Sequence, residues 1–273
     1  MNYGTLLETK DYGDVTQIRL ARTLDGNPLY TVCAYLVDGL LIDTGPAHTN
    51  RVLADFLVER TLRMAVNTHY HEDHVGGNRE LIDRYGIDVY AHPDAASLIA
   101  RPPGILPYQE TVWGVPEESA VLPLGDTIDT PRFLFDVVRM PGHSRGDVTL
   151  VEKRTGWCFS GDLISAPRPR TARREEDVPT MIASLRALAA HPAPALTLYT
   201  AVGTVFENGR EILLTTAEYL EEIGEKAGAL SEGGHTPEDI VRELFGRETA
   251  LKHLTEGDFS TENLIRSLLY LQR

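Results

Sequence analysis

The segment Thr68-His69-Tyr70-His71-Glu72-Asp73-His74-Val75-Gly76-Gly77 constrains this chain more than any other. It sets three of the nine histidines and an aspartate within six positions, directly after the strand-like run Leu62 to Asn67. In an extended strand, residues two apart project to one side, so His69 and His71 can face one ion. The chain then turns, and Asp73 and His74 can reach a second position beside it. Neutral imidazole and carboxylate are donors that zinc, iron and manganese share. Gly76 and Gly77 permit close backbone passage after the cluster. The bland alternative is a solvated histidine-rich loop. A metal also needs donors from more than one loop. His143 in Pro141-Gly142-His143-Ser144 and Asp162 in Phe159-Ser160-Gly161-Asp162 both stand at the ends of strand-like runs.

The rest of the chain supplies a frame. The runs Val15 to Leu20, Thr31 to Val37 and Leu40 to Ile42 read as strands, with turn signals at Asp25-Gly26-Asn27-Pro28 and Asp38-Gly39. A helix is expected over 49–60, where Val52, Leu53, Phe56 and Leu57 share a face, and another over 78–85. A strand follows at 88–91. Residues 101–118 hold four prolines and read as a long loop. Strands are expected near 119–123, 132–139, 147–152 and 156–160, a helix near 178–190, and a strand from Ala195 to Tyr199. From about 209 the chain reads as helical, with Thr236-Pro237-Glu238-Asp239 as an N-terminal helix signal. The pattern predicts an α/β core over 1–208 and a C-terminal helical region over 209–273. A length of 273 residues suffices for a full core.

Charge and composition exclude some partners. With 26 basic and 40 acidic side chains, the net charge is −14, which opposes nucleic acid as a default partner. No apolar run approaches the ~18–20 residues of a membrane helix. The opening residues lack a basic stretch followed by an apolar one. Cys33 and Cys158 do not make a disulfide framework, so a reducing cytoplasm is the expected compartment. Arg168, Arg170, Arg173 and Arg174 form one basic patch. It reads as a solvated loop, or as a clamp for an anionic substrate through its phosphate or carboxylate. The stripe Ile240, Val241, Leu244, Phe245 reads as packing on the core, or as a cap over a cleft or a homodimer interface.

Taken together, these motifs resemble the metallo-β-lactamase fold superfamily. Leu40-Leu41-Ile42-Asp43-Thr44-Gly45, the His69 to His74 cluster, Pro141-Gly142-His143-Ser144 and Ser160-Gly161-Asp162-Leu163 follow that family's order and approximate spacing over residues 30–165, with weaker similarity to 210. The resemblance implies an αβ/βα four-layer sandwich with metals at one edge. It implies His69, His71 and His143 around a first ion, Asp73 and His74 at a second, Asp162 bridging, and Asp43 as a buried hydrogen-bonding support. It further implies a metallo-hydrolase. Zinc, in one or two ions, would activate water that Asp73 orients, with iron or manganese as alternatives. A small-molecule ester, thioester, lactone or phosphodiester is the expected substrate.

One family element is broken. The final metal-ligand histidine falls in the turn Tyr199 to Thr204, and Val202 stands in its slot. That leaves an open coordination position, a weaker second metal or a mononuclear site. His48 could replace the missing donor, although a loop histidine is the plainer reading. A second expectation is a mononuclear iron oxygenase like the superfamily's persulfide dioxygenases, with iron on His69, His143 and Asp162. A ribonuclease and a non-catalytic metal- or ligand-binding module complete the set.

Overall fold

A computed structural model describes residues 2–270 and arranges them as two stacked sheets with helices outside each. The first sheet takes β1 (Tyr3–Tyr12), β2 (Val15–Leu24), β3 (Asn27–Pro28), β4 (Val32–Val37), β5 (Leu40–Ile42), β6 (Met64–Val66), β7 (Asp88–Ala91) and β8 (Leu122–Pro123). Its order is β1-β2-β4-β5-β6-β7-β8, antiparallel up to β5 and parallel from there on, with β3 on β2. The second sheet takes β9 (Thr127–Asp129), β10 (Leu134–Arg139), β11 (Val148–Glu152) and β12 (Trp157–Gly161). The chain leaves it through β13 (Ala172–Arg173) and returns as β14 (Thr197–Thr200) and β15 (Val205–Phe206). Near the C-terminus, β16 (Phe259–Ser260) pairs with β13 in a separate two-stranded ribbon.

Strand alternation fixes the layers. In β4, Cys33, Tyr35 and Val37 face the second sheet and meet Phe135, Leu150 and Phe159. Val32 and Ala34 face outward, onto Leu53 and Leu57 of α1 (Asn50–Leu57). Next come α2 (Glu72–Val75), α3 (Asn78–Tyr85), α4 (Pro93–Ala100) and α5 (Pro107–Val112). Outside the second sheet lie α6 (Val178–Ala189) and α7 (Gly209–Glu232), then α8 (Pro237–Phe245), α9 (Leu251–Leu254) and α10 (Thr261–Tyr270). Leu185, Leu198, Leu220, Ile240 and Leu264 share one apolar cluster. That cluster runs across position 208, so α7 packs as part of the second outer layer. The result is the four-layer αβ/βα sandwich with C-terminal helices that the motifs imply.

Local differences have physical causes. β1 is an edge strand with no fully buried side chain, so it lacks the apolar alternation that marks a strand. The proline-rich stretch contains α5, where Pro107 occupies the first helical position. The start of α10 is capped from a distance. Glu248 accepts hydrogens from the backbone of Thr261 at 2.8 Å and of Glu262 at 3.0 Å. Burial works to raise its pKa, but these N–H groups prevail and hold it low. A depressed carboxyl stabilises the fold above its unfolded pKa, near 4.5, and loses that contribution as the pH falls through the folded value. Glu248→Gln should therefore cost about 1 kcal/mol at neutral pH. Urea unfolding at a series of pH values should show the difference closing in acid.

Candidate metal centre

The strand ends converge at one edge of the sandwich. β5 leads into Asp43, β6 runs on to His69, the turn after β10 carries His143, and Asp162 follows β12. Backbone bonds join the sheets here: Val148 N donates to Thr68 O at 2.9 Å and Cys33 N to Ala201 O at 2.7 Å. Asp43 adopts a left-handed backbone with φ 59°. Such a residue costs about 1–3 kcal/mol and persists only where its surroundings compensate. Its buried carboxylate accepts from Thr68 N at 2.8 Å, Thr68 Oγ1 at 2.9 Å and His74 Nδ1 at 2.8 Å. Gly76 serves by proximity, since a Cβ there would lie 2.1 Å from Ala47 N.

His69, His71 and His143 meet in the interior. His71 Nδ1 lies 3.0 Å from both His69 Nε2 and His143 Nε2. Their other ring nitrogens face oxygen: Thr68 Oγ1 at 3.0 Å from His69 Nδ1, Glu175 Oε1 at 2.8 Å from His71 Nε2, and Glu176 Oε1 at 2.8 Å from His143 Nδ1. The Thr68 hydroxyl already donates to Asp43, so it accepts from His69. In the neutral rings the hydrogens point outward, and three lone pairs face one another. That arrangement is repulsive unless something positive lies between them.

A second donor set joins His69, His74 and Asp162, with one donor atom of each within 4.8 Å of the others. His74 Nε2 is buried and has no hydrogen-bond partner among the described residues. The Asp162 oxygens divide between the sets, Oδ1 3.5 Å from His74 Nε2 and Oδ2 3.5 Å from His143 Nε2. Asp73 belongs to neither set. Its Oδ2 is 3.7 Å from His74 Nε2, and it lines the adjoining cavity. Val202 lines the same cavity. An orphaned nitrogen, facing lone pairs and a mixed imidazole–carboxylate donor set together fit a transition ion.

The electrostatics divide the rings. Burial, reinforced by the neighbouring rings and Arg173, pushes His69 and His71 well below the usual histidine range. Burial also opposes charge on His143, but Glu176 prevails and raises it to about 9. At His74, Asp43 and Asp73 overcome burial and lift the ring well above its ordinary value. Burial raises Asp73 to about 7, whereas His74 overrides burial to hold Asp162 low.

Other candidates fall elsewhere. His48 stands apart from the cluster, with Nε2 2.9 Å from the Glu110 carbonyl. The Tyr70 hydroxyl donates to Glu175 at 2.8 Å. Of the four arginines of the basic patch, only Arg173 is buried, and Arg168, Arg170 and Arg174 stay exposed. Arg173 is buried between Glu72 at 3.2 Å and Asp258 at 3.1 Å, Arg170 donates to the Phe245 carbonyl, and Arg174 donates to that of Glu256. The sequence reading missed Glu175 and Glu176. They approach His71 and His143 from a segment remote in sequence, and no local spacing announces that.

The model for the metallo-beta-lactamase superfamily matches residues 28–213. This chain belongs to that superfamily. It is 34% identical over 120 residues to a hydroxyacylglutathione hydrolase of Thermosynechococcus vestitus, covering 44% of this chain and 42% of that protein. A protein of the same name from Mesorhizobium japonicum is 34% identical over 173 residues, covering 63% of this chain and 57% of its own. Hydroxyacylglutathione hydrolase GloC of Haemophilus influenzae is 27% identical over 136 residues, covering 47% and 63%. The chain thus spans about half the length of these relatives. Among solved structures, a beta-lactamase domain protein from Burkholderia ambifaria superposes with a TM-score of 0.75 at 16% identity, covering 97% of this chain and 88% of its own. TTHA1623, solved in a di-iron-bound form, gives 0.55 at 28% identity, covering 67% and 93%.

Outer partners of ligating histidines tune affinity. Glu176→Gln should weaken metal uptake by about 10–100-fold. Competition against a chromophoric chelator would measure it.

Proposed function

We propose that this chain is a metallo-hydrolase that cleaves a small-molecule thioester at the histidine cluster. The observation that carries the reading is the meeting of three imidazoles whose outer nitrogens are all held by oxygen. His69, His71 and His143 would hold one ion, and His74 and Asp162, with Asp73 beside them, a second. A divalent ion held there would supply Lewis acidity and a water whose pKa falls toward ~7. Zinc suits the donor set, and iron suits it equally. The names of the relatives support a thioester among the bonds such a centre can cleave, because an acylated glutathione is a thioester.

The chain's own residues supply position. Thr68, Glu175 and Glu176 fix the three rings before substrate arrives, so no ring must reorient during reaction. Asp73 presents its carboxylate to the cavity, where it would orient the attacking water. Val202 offers no donor in the position the resemblance gives to a histidine, so the second position would be the weaker. Arg173, paired with Glu72 and Asp258, is withdrawn from the basic patch on which the nucleic-acid reading drew.

His69 belongs to both donor sets. His69→Ala should therefore abolish metal content and thioester turnover together, measured by elemental analysis and thiol release. Metal retained at full stoichiometry would overturn the ligand assignment. Val202→His should tighten the second of two equivalents in a zinc titration. Iron in the purified chain, with oxygen uptake on a thiol persulfide and no thioester turnover, would favour the oxygenase instead.

A further inference from the structure

A cavity of about 540 Å³ opens from Asp73, His143 and Asp162 and runs under the C-terminal helices. Beyond the cluster its lining is mainly apolar, with Val112 on α5, Met181 on α6 and Phe259 in β16 presenting partly exposed side chains beside the hydroxyls of Ser165 and Thr171. The ionic side chains on the wall are already engaged. His143 and Glu176 pair with each other, Asp73 and Asp162 adjoin the cluster, and Arg173 lies between Glu72 and Asp258. A strongly hydrated substituent entering the far part would lose water and find no free charge to replace it.

The mouth carries the same signature. Among the described residues, nine large hydrophobic side chains are exposed, and four of them, Leu29, Tyr30, Leu251 and Leu254, line this cavity. Leu254 is 69% exposed and Leu251 43%. They come from opposite ends of the chain, the first pair before β4 and the second on α9. Isolated exposed leucines need no explanation, but a gathering of them at the entrance to an apolar cavity does.

We infer that the substrate carries an aliphatic chain on one side of the scissile bond, which lies against Val112, Met181 and Phe259 while that bond sits at the cluster. This inference rests on the thioester reading for the bond and on the cavity for the chain. It sets the substrate apart from a thioester of two hydrophilic halves. The shared chemistry is a linear alkyl group, attached through either the carbonyl carbon or the sulfur.

Calorimetric titration of zinc-loaded protein with linear carboxylates, from butanoate to decanoate, and with linear alkanethiols tests the cavity without turnover. Affinity should rise about fourfold per methylene in at least one series, from ~0.8 kcal/mol per buried methylene, with a negative heat-capacity change. Flat ladders in both series would overturn the inference. Met181→Trp, at a partly buried position, should shorten the chain length at which the ladder stops rising. Leu254→Lys, at an exposed one, should lower its slope. Hydrolysis of S-acyl-N-acetylcysteamines and of S-alkyl thioacetates then shows which side bears the chain. A binding ladder without thioester hydrolysis would sink the thioester reading and leave the chain site standing. Hydrolysis with no dependence on chain length in either series would do the reverse. A dimer that Leu254→Lys dissociates, with flat ladders, would assign the exposed leucines to a second copy and overturn the inference.

Discussion

The Asp43 carboxylate receives two hydrogens from Thr68 and one from His74, and the histidine cluster hangs on those bonds. Because the Thr68 hydroxyl is committed to Asp43, it can only accept from His69, which turns His69 Nε2 inward. Because His74 gives Nδ1 to Asp43, its Nε2 also points inward. One buried carboxylate thus orients two rings, and through Thr68 it anchors the strand end that delivers the rest. The left-handed backbone at Asp43 becomes intelligible in this light. Its strain is offset by three bonds to groups that would otherwise be buried unsatisfied.

Four adjoining imidazoles cannot all be charged, and they gain nothing from all being neutral. The surroundings resolve this by pushing the rings apart in pKa. His69 and His71, buried beside other rings and Arg173, are driven down, while Asp43 and Glu176 draw His74 and His143 up. Protons on the raised rings can then balance the buried carboxylates when no ion is bound. A preformed cluster follows, and metal uptake must displace protons from it.

Much of this was legible in the sequence because the chemistry lies at the ends of short, strongly apolar strands. Asp43, His69, His143 and Asp162 each close such a run, and alternation in β4 and β12 fixes which side of the sheet the neighbouring residues face. The remainder depends on contacts that no local pattern encodes. β1 was missed because an edge strand needs no buried face. Glu175 and Glu176 act on rings far away in sequence. Arg173 reads as one member of an exposed basic patch until β13 pairs with β16 and brings Asp258 beside it.

That last pairing bears on how the chemistry and the cavity are joined. Arg173 touches Glu72, the residue between His71 and Asp73, and Asp258, which leads into β16. Burial disfavours its charge, yet Glu72 and Asp258 keep the guanidinium firmly protonated. A buried ionic group of this kind contributes little net stability, because desolvation consumes most of its Coulombic gain. Breaking it, however, leaves an uncompensated charge, so it admits one arrangement and penalises others. The C-terminal segment that supplies Leu251, Leu254 and Phe259 to the cavity is therefore held in register with the helix that carries Asp73 and His74. The walls that would select a substrate and the cluster that would cleave it arise far apart in the chain, and the Glu72–Arg173–Asp258 triad makes them one site.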